Sequence, residues 1–299
     1  MAGATPHWVD PVMRTGFAAR GAVYIVVGGF AFLAALGDGY ASGTKGSLER
    51  LLGSAWGFAL LAFIAFGLVA FAAWRGLCAL MDLEAKGGGA KGWVARGGQV
   101  ISGFAHLGLA VFALSLVWGG GQSGQGGSST EDWTAMLLRQ PFGQWLVGLL
   151  GLVVIAVGIR QFIKAHKEKF KQFLMASQTS ERLTPVVKFG IDAHGVVIGI
   201  IGGFFIWAAL TANPERAGGL GQALDTVRQA VYGQILLGIV GAGLVAFAVF
   251  CFIEARYRIV PRLAESSGTR TLAMKAQEAK GKAEEAKGKA ERTAHRLAQ

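Results

Sequence analysis

The chain has 299 residues, of which 53% are hydrophobic and only 16% are charged. Soluble proteins carry roughly 25% charged residues, so this composition excludes a disordered chain, a nucleic-acid-binding domain and an ordinary cytosolic enzyme. Glycine is abundant, with 46 residues, and proline is rare, with 6. Small residues let helices approach closely inside a bilayer, and we therefore expect an all-α membrane bundle.

Six apolar runs are each long enough to cross about 30 Å of hydrocarbon, which requires about 20 helical residues. In chain order they cover residues 17–36, 55–74, 98–118, 142–163, 186–210 and 232–253. Residues 1–12 form a segment before the first run, and a charged tail of residues 258–299 follows the last. A short amphipathic segment precedes each even-numbered span, at residues 48–52, 135–139 and 224–229.

The net charge of +11 is concentrated on one side of the predicted bundle. Of the 29 Lys and Arg residues, 24 lie in or beside the N-terminal segment, the second and fourth loops and the tail. Cytoplasmic loops carry the excess of basic residues in multi-pass proteins. We therefore predict that both termini are cytoplasmic, and we interpret the basic charge as orientation and not as nucleic-acid binding.

The spans repeat as three hairpins, which we place at residues 13–81, 93–165 and 185–257. Gly16, Gly98 and Gly190 occupy the same position at the start of the odd-numbered spans. The even-numbered spans align in the same way, at Ala70, Ala156 and Ala246. Repeats of two spans keep one orientation and are related by an axis along the membrane normal. This pattern predicts a pseudo-threefold bundle.

The segment Arg14-Thr-Gly-Phe-Ala-Ala-Arg-Gly-Ala-Val-Tyr and the later Pro141-Phe-Gly-Gln-Trp-Leu resemble the family defined by domain of unknown function 1206. The resemblance covers residues 12–257. It implies a bacterial six-span membrane protein of three two-helix repeats, and it implies no reaction. We predict that the membrane is the bacterial inner membrane. The second repeat departs from the pattern, because Ser102 replaces Arg20 and His106 replaces Tyr24.

Polar side chains in the odd-numbered spans are the candidate site. A charge at the centre of a spanning helix costs about 2.5–3.5 kcal/mol of insertion free energy. Each charged residue in a span is therefore expected to have a structural or functional role. Arg20, Ser102 and His194 share one repeat position, Tyr24 and His106 share a deeper one, and Asp192 lies nearby. We expect these residues to line a polar cavity that binds a small ligand or an anionic lipid, with Asp192 as the ion-pair partner of Arg20. The even-numbered spans carry polar residues only near their ends.

Two hypotheses of different class follow. In the first, the protein is non-enzymatic and binds or moves a ligand or lipid at this cluster. In the second, it is a structural or stress-linked scaffold whose polar groups only fix helix packing. A membrane enzyme is a third alternative, although the sequence contains no recognisable catalytic, metal or cofactor motif, and we predict neither a metal nor a cofactor. The oligomeric state is left open.

The tail contains a seven-residue repeat, in which Lys-Ala-Gln-Glu-Ala-Lys-Gly at residues 275–281 recurs with one change at 282–288. Its alanine seam is narrow, and Gly281 and Gly288 each cost a helix about 1 kcal/mol. We interpret the tail as a solvated, marginal helix. Self-association and adsorption to anionic lipid are the alternatives.

Overall fold

A computed structural model describes residues 8–37, 43–52, 54, 56–118, 129–175 and 177–260 of the chain. The predictions for residues 1–7 and for the heptad repeat of the tail lie outside these residues. The six predicted spans are confirmed as six long helices of 24–28 residues. They are α1 (Val9–Ala35), α3 (Gly57–Met81), α4 (Ala90–Val117), α6 (Gly143–His166), α8 (Thr184–Thr211) and α10 (Gly233–Tyr257). All six are long and apolar enough to cross a membrane, so the protein is a multi-pass membrane protein.

Three short helices precede the even-numbered spans, as the amphipathic segments predict. They are α2 (Thr44–Leu52), α5 (Ser129–Leu138) and α9 (Leu220–Gln229), and a further short helix, α7 (Gln178–Arg182), leads into α8. The long helices extend beyond the apolar runs. For example, α1 begins at Val9, inside the segment expected to precede the first hairpin, and its first turns include an ion pair of 2.7 Å between Asp10 and Arg14.

The turns that join α5 to α6 and α9 to α10 have the same backbone conformation. Phe142 and Tyr232, which precede the two spans, adopt left-handed backbone conformations with φ of 63° and 62°. The next residue is glycine in both cases. A Cβ atom at Gly143 or Gly233 would collide with a carbonyl oxygen of the preceding short helix. Only glycine therefore permits the chain to reverse this closely.

Each odd-numbered span packs tightly against the even-numbered span of a neighbouring repeat. These interfaces pair α1 with α10, α8 with α6, and α4 with α3. Backbones meet at small residues, since an added Cβ at Gly28 would lie 2.8 Å from the Gly241 carbonyl oxygen, and one at Gly202 would lie 3.0 Å from that of Gly151. The third interface has Ala110 and Ala65 at the equivalent positions, and both are fully buried.

Contacts within a repeat are different in the second repeat. The spans pack on each other in the first repeat (α1 and α3) and in the third (α8 and α10), whereas α4 and α6 form no such interface in the described residues. An added Cβ at Gly16 would lie 2.6 Å from Cα of Phe71, and one at Gly190 would collide with Phe247. At Gly98, the equivalent position in α4, a Cβ would meet nothing within 4 Å.

Bulky side chains explain this difference. In the first repeat Ala19 faces Gly67, and in the third Ala193 faces Gly243, so close that an added Cβ on either glycine would collide with the alanine. The second repeat has Ile101 and Val153 at these positions, and they are 72% and 52% exposed. Two branched side chains prevent the close approach that an Ala–Gly pair allows.

The helices therefore pack in the order α4, α3, α1, α10, α8, α6, with the sixth side open. One buried cluster contains residues from α4 and α8 as well as from α1, α3 and α10, so these five helices share a common core. The outer helices are correspondingly exposed: 22% of the most apolar part of α4 and 17% of that of α6 are buried, against 44% or more elsewhere. Exposed residues of both helices occupy the repeat positions at which the other two repeats pack, namely Gly98 and Ile101 of α4 and Val153 and Arg160 of α6, and we call these faces the α4/α6 groove.

We call the end of the bundle where α1 begins and α10 ends the basic end. An ionic cluster there links α10 to the loop between α3 and α4. Arg258 contacts Glu254 one turn earlier and lies 2.5 Å from Glu84 in the loop between α3 and α4. Backbone hydrogen bonds join residues 257–259 to 173–175 beside it. Burial disfavours the Glu84 carboxylate, but the nearby cations outweigh this and hold its pKa below the ordinary value. Burial likewise opposes the Arg258 charge, and Glu254 and Glu84 raise its pKa in spite of it.

Candidate functional site

Arg20 is the centre of the candidate site. It lies on α1 with its guanidinium carbon over three aromatic rings, 5.1 Å from the ring centroid of Phe247, 5.5 Å from that of Phe71 and 5.6 Å from that of Tyr24. Phe71 and Phe247 occupy equivalent positions of the first and third repeats. Cations are attracted to the negative faces of such rings, so three helices together hold one cation within the bundle.

Tyr24 and His194 form the second part of the site. The Tyr24 hydroxyl lies 2.8 Å from Nε2 of His194, and Nδ1 of His194 lies 3.1 Å from the side-chain amide nitrogen of Gln161 on α6. The His194 ring also stacks on Phe247 with an interplanar angle of 7°. Both ring nitrogens are thus hydrogen-bonded within the protein, which fixes the orientation of the imidazole.

His106 and Ser102 lie on α4, in the second repeat. Nδ1 of His106 lies 2.7 Å from the Ser102 carbonyl oxygen and donates a hydrogen bond to it. The His106 ring is 4.5 Å from the Phe71 centroid, so His106 and Arg20 contact the same ring. Ser102 contributes its backbone to this arrangement through the bond to His106.

A second arginine, Arg75 on α3, joins the site. Its guanidinium carbon lies 5.1 Å from the Phe71 centroid. The Nε atoms of Arg20 and Arg75 are both buried and without a hydrogen-bond partner in the described residues. Neither guanidinium lies within 4.0 Å of a carboxylate oxygen there. The carboxylates of Glu254 and Glu84 act on Arg20 and Arg75 from a longer distance, and both are paired directly with Arg258. The two guanidinium groups therefore have no direct anionic partner in the described residues.

Asp192 does not join the cluster, and the expected Arg20–Asp192 ion pair is not formed in the described residues. Asp192 instead lies 3.8 Å from Nδ1 of His166 at the end of α6, and its Oδ1 has no hydrogen-bond partner there. The physical reason is helical geometry. Asp192 is two residues from His194, so their side chains project from different sides of α8, and the His194 side faces α1.

Sequence reasoning missed the polar residues of the even-numbered spans. On each even-numbered span, the residues four and seven positions after the Phe71 repeat position lie on the same helix face as that position. The next position holds Arg75, Gln161 and Cys251 in the three repeats, and the one after holds Cys78, Lys164 and Glu254. Spacings of i, i+4 and i+7 lie on one face of a helix. The same repeat register that aligns the alanines could therefore have identified Arg75 and Gln161.

The arrangement offers groups that can bind an anion. The described residues contain no group of three or more His, Cys, Asp and Glu side chains placed to hold a metal ion. What they contain is an excess of positive charge beside aromatic rings and hydroxyl, imidazole and amide groups. Guanidinium groups recognise carboxylate and phosphate groups through paired hydrogen bonds.

Comparison with known proteins agrees with the architecture. A family model, Domain of Unknown Function (DUF1206), matches three successive segments of the chain, residues 15–82, 97–168 and 189–258. The chain is also 33% identical over 258 residues to "Uncharacterized protein YxxB" of Bacillus subtilis (strain 168), an alignment that covers 85% of this chain and 93% of that protein. No solved structure matches the chain significantly. The three matched segments contain the six spans and their repeat, and the chain belongs to the DUF1206 family.

Proposed function

We propose that the protein binds, within the membrane, an anion that carries a phosphate group, and that it carries out no reaction on it. The site consists of Arg20 and Arg75 with the rings of Tyr24, Phe71 and Phe247. Of the other residues that sequence analysis selected, His194, His106 and Ser102 support these rings. Asp192 lies outside the site.

The observation that carries the proposal is the pair of buried, unpartnered Nε atoms on Arg20 and Arg75. Both arginines are half-buried, and a cation with limited access to water and no direct ion-pair partner is stabilised when an anion binds beside it. Phosphate groups carry one or two negative charges and several acceptor oxygens, which match two guanidinium groups better than a single carboxylate does. The same atoms would receive the phosphate of a soluble metabolite or of a lipid head group.

The membrane and the orientation belong to the same proposal. We infer a bacterial inner membrane with both termini in the cytoplasm, because the basic end carries most of the Lys and Arg residues. Arg20 and Arg75 lie in the half of the bundle near that end. The bound anion would therefore be a cytoplasmic metabolite or a lipid of the inner leaflet.

A structural scaffold is the second candidate, and the Tyr24–His194–Gln161 hydrogen bonds favour it. Both nitrogens of His194 are satisfied inside the protein. A network of this kind fixes the packing of α1, α6 and α8 whether or not a ligand is present. The two candidates differ in one respect, because a scaffold gains no stability from an added anion.

Thermal unfolding in detergent tests the proposal, with glycerol 3-phosphate as a soluble probe and chloride at equal ionic strength as the reference. A probe at 100 times its Kd stabilises a protein by about 2.7 kcal/mol. We expect the wild-type chain to gain thermal stability, and Arg20→Gln and Arg75→Gln each to lose most of that gain. Arg139→Gln removes an exposed cation at the opposite end of the bundle and should respond as wild type does. Equal stability in probe and chloride for the wild-type chain would favour the scaffold.

A further inference from the structure

The α4/α6 groove is a second feature with the properties of a binding surface. In the first and third repeats the corresponding surfaces are covered, since Trp74 and Phe250 are buried against the odd-numbered span of their own repeat. In the second repeat α4 and α6 form no such interface in the described residues, and the equivalent positions Ile101 and Val153 are exposed. The groove is therefore a specific consequence of Ile101 and Val153.

Arg160 lies on the groove side of α6. It occupies the repeat position of Trp74 and Phe250, and it is exposed, with no hydrogen-bond or ion-pair partner in the described residues. It lies two turns before the end of α6, whereas Val153 lies two further turns into the membrane. A charged side chain at this depth, without an ion-pair partner in the described part of the chain, is stabilised by a negative charge from the membrane.

The side chains along the groove change from apolar to basic towards the basic end, as the acyl chains and the phosphate of a phospholipid would require. The deep part is apolar, with Ile101, Val153 and Val157. Arg160 follows towards the basic end, and Lys167 lies beyond it, also exposed. No acidic side chain of α4 or α6 competes for these cations, because neither helix contains Asp or Glu.

We propose that the α4/α6 groove binds one anionic phospholipid of the inner leaflet, with its acyl chains against Ile101 and Val153 and its phosphate at Arg160. The site is separate from the Arg20 site. An anionic lipid is favoured over a second copy of the chain because a copy would bring another Arg160, and like charges would meet.

Native mass spectrometry of the full chain in detergent tests the proposal, with phosphatidylglycerol and phosphatidylcholine of identical acyl chains as probes. We expect phosphatidylglycerol to bind more tightly than phosphatidylcholine. Loss of a charged hydrogen bond weakens binding by about tenfold or more, so Arg160→Gln should lower the phosphatidylglycerol affinity by about that factor. Arg139→Gln, an exposed cation at the other end of the bundle, should leave it unchanged.

Closing the groove gives an independent test. Ile101→Ala with Val153→Gly gives the second repeat the small pair that packs the other two, and one bound phosphatidylglycerol per chain should be lost. If this variant does not fold, Gly98→Phe is the second test, because Gly98 is exposed, a Cβ there meets nothing within 4 Å, and the added ring would occupy part of the groove. The proposal is wrong if the two lipids bind equally, if Arg160→Gln and the groove variants leave phosphatidylglycerol affinity unchanged, or if dimers form in place of lipid complexes. These outcomes do not affect the glycerol 3-phosphate test, which uses a soluble probe at different residues.

Discussion

The Tyr24 hydroxyl lies 2.8 Å from Nε2 of His194, so a hydrogen bond joins α1 to α8 across 170 residues of sequence. The two helices are linked through α10, which packs against both. His194 occupies in the third repeat the position that Arg20 occupies in the first. The bond therefore connects two repeats on the inner side of the row of helices, beside the Arg20 guanidinium.

Removing the hydroxyl should weaken this connection. Tyr24→Phe keeps the ring over Arg20 but leaves a His194 nitrogen without a partner, and we expect a loss of about 0.5–1.5 kcal/mol in the free energy of unfolding. Equilibrium unfolding in mixed micelles measures the change. Tyr232→Phe is the matched control, because Tyr232 is 77% exposed at the other end of the bundle. Equal stability of Tyr24→Phe and wild type would contradict the importance of the bond.

Glycine-to-alanine substitutions at one repeat position should change the stability differently in the open second repeat and in the packed third repeat. Gly190→Ala places a methyl group against the Phe247 backbone, and overpacking of this kind costs about 1–3 kcal/mol. Gly98→Ala, at the same repeat position, meets open space and should gain up to about 1 kcal/mol from helix propensity. The measurement is the unfolding free energy of both variants in one detergent. A similar loss at both positions would show that α4 and α6 pack together.

Much of this architecture can be predicted from the sequence, because long apolar runs and a repeated register determine six helices in three repeats. The difference of the second repeat is also visible in the aligned sequence, since Ile101 and Val153 replace residues that are alanine and glycine in the other two repeats. Their consequence could not be predicted. It depends on which helix faces meet, and the sequence alone does not show that Ala19 lies against Gly67.

The candidate site was predictable only in part. Arg20 and His194 occupy the same repeat position, Tyr24 lies one turn away, and the three side chains lie together. Asp192 has a similar depth in the membrane, but its side chain projects from a different side of α8. Depth follows from counting residues along a helix, and direction depends on how each helix is rotated against its neighbours. Arg75 was overlooked because it is at the end of an apolar run, where a cation is usually explained by the membrane interface.

The orientation of the protein is tested by reporter fusions. Because cytoplasmic loops hold the excess of Lys and Arg, a fusion at Lys169 should be active with a reporter that requires the cytoplasm. A fusion at Gly127, in the loop between the third and fourth spans, should be active with one that requires the exterior. The opposite pattern at both positions would reverse the proposed topology and would place the Arg20 site near the outer face.

Acid should weaken the ionic cluster of Glu84, Glu254 and Arg258. Burial raises the pKa of Glu84, but Arg258 and the other nearby cations lower it by more, so the folded pKa is below the ordinary value. A carboxyl group of this kind contributes stability that is complete above its unfolded pKa of about 4.3 and is lost as the pH falls through the folded pKa. The unfolding free energy should therefore be constant near neutral pH and decrease below about pH 5.

Two variants assign this pH dependence to the cluster. Glu84→Gln should lower stability at neutral pH and reduce the further loss in acid, because the neutral amide has no proton to gain. Glu215→Gln, which removes an exposed carboxylate at the other end of the bundle, should keep the full acid-induced loss. Arg258→Met should be the most destabilising at neutral pH, by about 3–5 kcal/mol, since it leaves Glu254 buried without its ion-pair partner and leaves Glu84 with Lys86 as its only ion-pair partner in the described residues. If Glu84→Gln and wild type lost equal stability between neutral pH and about pH 3, the acid sensitivity would have to come from other carboxylates.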